Sequence, residues 1–157
     1  MKSSAKWAVV SGIVLAAGLF TGIARADDAA VVDARQATMK AQGKDMSAIK
    51  AYIDDKADLA SAQAAGADLV TQVAKIPDLF PKGTGMTQFP GKSYAKDAVW
   101  TDWDKFLAQA KTANDKAVAL NAALKGGDKA AITAAFGDMG KNGCGACHEP
   151  FREKKPS

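Results

Sequence analysis

Cys144-Gly145-Ala146-Cys147-His148 holds both cysteines and the single histidine of a 157-residue chain. Two thiols three positions apart can each add across a vinyl group of a haem, and the next residue sets an imidazole against the iron. C-x-x-C-H is therefore the spacing of covalent c-type haem attachment. Rival uses fall short. A structural zinc site takes four ligands, and Cys and His supply three side chains in this sequence. A dithiol redox centre opens a helix after a strand, whereas no strand pattern precedes Cys144 and only ten residues follow Cys147. A disulfide would close a four-residue loop, gain little from loop entropy and leave His148 without a role.

Upstream of the motif, Ile132, Phe136 and Met139 join Cys147 and Phe151 on the inner face of a fourth helix, with Asp128 as its cap. Gly137, Gly140, Gly143 and Gly145 each cost about 1 kcal/mol relative to alanine in a helix interior. A compensating reason is expected, and close approach of a flat macrocycle to the backbone supplies one. Gly126-Gly127 ends a third helix with Trp103, Phe106, Ala110, Ala113, Leu120 and Leu124 on its inner face, and Thr101-x-x-Asp104 reads as its capping box. Residues 77–99 form a long connection broken by Pro77, Pro81, Gly83, Gly85, Pro90 and Gly91, with Phe80, Phe89, Tyr94 and Trp100 available to pin it to the bundle. Before it, Leu59, Ala62, Gly66, Leu69, Val73 and Ile76 mark a second helix, capped at Asp54-Asp55 and stopped by Pro77. The first helix covers residues 28–53, where Val32, Arg35, Met39, Gln42, Met46, Ile49 and Ile53 recur at steps of three and four.

These elements predict an all-α, antiparallel, up-down-up-down four-helix bundle with a covalently attached haem. The inner seams are thin, with alanine or glycine at positions 62, 66, 110, 113 and 117, so the helices alone enclose too little side-chain volume. A porphyrin would fill the space.

The chain opens with an export signal: Lys2 and Lys6, an apolar or small stretch over residues 7–23, and Ala24-Arg25-Ala26 as the cleavage site. Residues 1–26 are thus expected to be removed, leaving one domain over residues 27–157. Removing three basic and no acidic residues leaves 18 basic against 17 acidic, a net charge of +1. A clustered basic face is missing, so no nucleic-acid partner is expected.

The leader, four helices, Arg35-Gln36 and Met39 in the first, Ile76-Pro77-x-Leu79-Phe80-Pro81 after the second and the terminal C-x-x-C-H-x-x-Phe-Arg together resemble cytochrome c′, the class II c-type cytochromes, over residues 28–152. The resemblance implies one haem c, thioether-linked to Cys144 and Cys147, with His148 as proximal iron ligand and Arg152 beside the proximal face. It implies a periplasmic location, haem attachment in bacteria taking place on the outer side of the inner membrane, and often pairing of two copies through the first two helices. Two branches follow from it. Six-coordinate members carry a first-helix methionine on the iron and pass single electrons to redox partner proteins. Five-coordinate members leave that face open and bind nitric oxide or carbon monoxide.

The first branch is the leading expectation, with Met39 as sixth ligand. With the first and last helices antiparallel, Met39 is offset from the level of His148 by roughly 9 Å and Met46 by roughly 20 Å at 1.5 Å per residue. A haem bridges the smaller gap. Arg35 sits on a seam where an unpaired charge is costly, so a haem propionate is its expected partner, with Gln36 donating to the same group. Arg152, four residues after His148, is expected on the same helix face. Pro150 should disturb that helix. Beyond the iron no acid, base or nucleophile converges, so an enzyme is not expected.

Overall fold

A computed structural model of the chain describes residues 20–154, with side chains from Asp27 onward. The expected leader lies outside the described residues, apart from helical backbone that begins at Phe20. Among the described residues no helix is long and apolar enough to cross a membrane.

Helix α1 (Phe20–Ile53) packs on α2 (Leu59–Ala74). A 3-10 turn (Ile76–Leu79), an irregular stretch and the single turn α3 (Ala98–Thr101) lead to α4 (Trp103–Gly126). The last rod has three parts: α5 (Lys129–Asp138), a π-helical segment (Met139–Gly145) and α6 (Ala146–Phe151). Neighbours run α1 to α2, α2 to α4, α4 to the last rod, and the last rod back to α1, which closes the expected four-helix bundle.

The seams face inward as their periodicity requires. Val32, Ile49, Leu69, Val73, Phe106, Leu120, Leu124 and Ile132 are buried, while Met39, Met46 and Ile53 are half-buried. Phe106 is the aromatic hub. Its ring centroid lies 4.8 Å from Phe80, 5.2 Å from Trp103 and 5.4 Å from Phe151. At Gly66 the backbones of α2 and α4 come so close that a Cβ would overlap Leu124 Cδ1.

Three expected boundaries move. The cap of α2 is Asp58, which accepts from the Ser61 amide at 2.8 Å. Asp54-Asp55 instead makes the turn, Asp55 taking a left-handed φ of 60°. Thr101 belongs to α3, and the chain breaks at Asp102 (φ −116°, ψ 45°), so the Thr101–Asp104 capping box does not form. Arg152 leaves the last helix in extended conformation (φ −120°, ψ 131°), and the next amide, of Glu153, bonds to Tyr94 in the loop and not back along the helix. The ends around Gly127 (φ 76°) and Asp128, which accepts from the Ala131 amide at 2.8 Å, are as read.

The long connection is ordered by bonds that reach past it. Trp100 Nε1 donates to the Phe80 carbonyl at 2.9 Å, the Lys96 amide to Phe151 at 3.0 Å and the Glu153 amide to Tyr94 at 2.8 Å. Ala95 and Arg152 form an isolated antiparallel bridge. The loop and the tail after the last helix are thus one unit.

Candidate haem site

Between α1, the long loop and the last rod lies a cavity of about 400 Å³. It is of the size that cofactor sites take, about 300–1,000 Å³. One wall is α1, with Arg35, Gln36, Met39 and Gln42; the opposite wall is the last rod, with Met139, Gly143, Cys144, Cys147 and His148. Val73, Ile76, Phe80 and Phe106 add apolar lining, and Ser93, Tyr94 and Ala95 of the loop line the cavity with Arg152. All seven expected site residues line this one space.

The π segment explains part of the glycine richness upstream of the motif. Its wide turns bring Gly143 against α4, where a Cβ would lie 2.8 Å from Met139 Sδ and 3.6 Å from Ala113 Cα. Gly143 is the one of the four glycines on the cavity wall. A Cβ at Gly137 or Gly140 would meet nothing within 4 Å, so close approach does not account for those two.

Burial sets the protonation of the motif. Loss of hydration, and secondly the charge of Arg152, pulls the His148 pKa down to about 4. The imidazole is neutral at pH 7, with a lone pair free for a metal. Burial, and then the neighbouring Cys144, pushes the Cys147 thiol up to about 11, and burial raises Cys144 as well. These are neutral thiols facing an apolar cavity. A dithiol redox centre depends on the opposite, a depressed thiol pKa.

Arg35 is 5 % exposed. Its guanidinium donates to Thr84 O at 2.7 Å, Ser93 Oγ at 2.9 Å, Thr84 Oγ1 at 3.2 Å and Leu79 O at 3.3 Å, and lies 4.5 Å over the Phe80 ring. Every acceptor is neutral, and Arg35 takes part in none of the salt bridges among the described residues. Desolvation lowers its pKa to about 10, which leaves it a buried cation at neutral pH without a buried anion. Beside it, Gln36 Nε2 donates to the Lys92 carbonyl. Both residues therefore hold the loop as well as bordering the cavity.

Gln42 was visible in the sequence only as a polar side chain on an apolar seam. It is 8 % exposed, lines the cavity, and its Nε2 has no hydrogen-bond partner. Leaving a buried donor unmade costs about 1–3 kcal/mol. A neutral imidazole, two thiols, an uncompensated cation and an unpartnered amide around one apolar space fit a haem. When bound, its iron would supply one-electron redox chemistry.

The family model described as cytochrome c′ matches residues 30–152, most of the chain and its whole haem motif. The chain belongs to the cytochrome c′ family. It is 34% identical over 125 residues to cytochrome c′ of Pararhodospirillum photometricum, covering 79% of this chain and 97% of that one. Among solved structures, cytochrome c′ from Rhodobacter spheriodes is 30% identical, with a TM-score of 0.73, covering 82% of this chain and 98% of that one. The nitric oxide complex of the L16A mutant of cytochrome c prime from Alcaligenes xylosoxidans is 28% identical, with a TM-score of 0.71, covering 81% and 97%. Cytochrome c′ is an example of the up-down-up-down bundle. Membership gives this chain one haem c, attached through Cys144 and Cys147.

Proposed function

We propose that this cytochrome c′ is exported to the periplasm, carries its haem with His148 on the iron, and takes a diatomic gas, nitric oxide or carbon monoxide, on the opposite face. The observation that supports this reading is the nitric oxide complex of the L16A mutant of a relative with the same bundle. In this reading Met39 lines the gas face without occupying the iron, and Arg35 supplies the buried positive charge against which a propionate sits.

A second reading keeps Met39 on the iron and makes the protein a carrier of single electrons between redox partner proteins. It is the leading expectation from sequence, and it is favoured by Met39 of α1 and His148 of the last rod lining one cavity. The gas-bound relative moves it to second place. His/Met ligation would raise the reduction potential and close the coordination sphere to gases.

Optical spectroscopy of the ferrous protein under carbon monoxide separates the two. High-spin bands that shift with carbon monoxide are the expected result. Low-spin bands that ignore the gas until Met39→Ala is introduced would establish the second reading instead. Pairing of two copies gains no support from apolar exposure, since the exposed large hydrophobic among the described residues is Val118, which belongs to α4 and to neither α1 nor α2.

A further inference from the structure

Five buried side-chain polar atoms among the described residues lack a hydrogen-bond partner, on Gln42, Asp45, Gln72, Asn114 and Asn121. Of these residues Gln42 alone lines the cavity. It comes from α1, the wall facing the helix that bears His148. Along α1 it lies three residues beyond Met39 and seven beyond Arg35, roughly 4.5 Å and 10 Å at 1.5 Å per residue. The charged end of the cavity, marked by Arg35, Gln36 and the loop, is therefore a full two turns away. Val73, Ala113 and Met139, which line the same cavity, carry no side-chain oxygen acceptor.

We propose that the Gln42 carboxamide is the hydrogen-bond donor to a diatomic ligand held on the gas face, and so sets how long the gas stays. This rests on the gas-binding reading above. In that reading the propionates sit against Arg35, about two helical turns from Gln42 along α1, and the porphyrin plane itself offers no oxygen. The outer atom of a bound gas is an acceptor that the cavity can bring to this amide.

The test compares the wild-type holoprotein with Gln42→Leu and Gln42→Asn, using carbon monoxide and nitric oxide as probes. The readouts are the dissociation rate and the C–O stretching frequency of the ferrous carbon monoxide form. Loss of one neutral hydrogen bond predicts about fivefold faster release in Gln42→Leu, together with a higher C–O frequency. Gln42→Asn should fall between the two. Thermal stability of the gas-free holoprotein should not drop in Gln42→Leu, because the substitution removes an unmade donor; a role confined to folding would lower it. Unchanged release and frequency in Gln42→Leu, with a wild type that binds carbon monoxide, overturn the proposal and leave gas binding standing. A wild type whose spectrum ignores carbon monoxide overturns both.

Discussion

Arg35 Nη2 donates to the carbonyl of Thr84 at 2.7 Å across 49 positions of sequence. With Ser93, Thr84 Oγ1 and Leu79 taking the remaining bonds, a single guanidinium on α1 fastens both strands of the long loop over the cavity. Lysine cannot reproduce a planar fork of donors. Arg35→Lys is expected to destabilise the holoprotein by about 2 kcal/mol, and Arg35→Ala by more, given 1.5–3 kcal/mol for a hydrogen bond to a charged group. Urea unfolding measures the loss, and limited proteolysis should cut within residues 81–93 first.

Glycine substitutions should separate contact from propensity. Gly66→Ala forces its Cβ onto Leu124 in a buried seam, where overpacking costs about 1–3 kcal/mol against about 1 kcal/mol of helix propensity gained. A net loss is expected. Gly137→Ala meets nothing within 4 Å and should gain about 0.5–1 kcal/mol. Thermal melts of the two holoproteins should therefore move in opposite directions.

Much of this was legible beforehand, and the misses share a cause. The seam of α1, the Gly127 stop and the Asp128 cap follow from local pattern, and they stand as read. Asp54-Asp55 and Thr101 also look like caps locally. The structure gives those tasks to Asp58 and to a break at Asp102, because the start of a helix depends on where its inner face meets its neighbours. The site divides the same way. The motif and Met39 face the cavity as spacing implied, but the partners of Arg35 come from Thr84 and Ser93, 49 and 58 residues away. No local pattern marks such pairs. Gln42 had a signal, a polar side chain among apolar ones, that acquires meaning only once the cavity is seen.

Acid should weaken the bundle through two helix-end carboxylates. Asp58 is held below the usual range chiefly by the Ser61 amide, and Asp138 chiefly by Lys116, 2.7 Å away, with help from Asn142. A folded-state pKa below the unfolded one means that the unfolded chain binds protons first as pH falls. The stabilisation is complete above the ordinary carboxylate value of 3.8 and is lost as pH drops through the lower folded values. Asp58→Asn, which still accepts from an amide, should flatten the dependence of stability on pH between 4 and 2. A slope equal to that of wild type would show that the cap does not titrate as described.

Maturation can be read from mass. Protein purified from cells that attach c-type haem is expected to begin at Asp27 and to carry one haem that acid extraction does not remove. Cys144→Ala with Cys147→Ala should lose that mass increment. Retention of a covalent haem in the double variant would contradict the assignment of the two thiols.

The π segment bears on how the site can be altered by engineering. Each wide turn spends more residues per revolution than an α-helix does, so everything after Gly145 is rotated relative to α5. Trimming one residue from Met139–Gly145 would swing the ligand set by about 100°, turning His148 away from Met39 and Gln42 with every side chain still present. The angular phase of the terminal rod is thus a dial on this protein, one that no point substitution reaches.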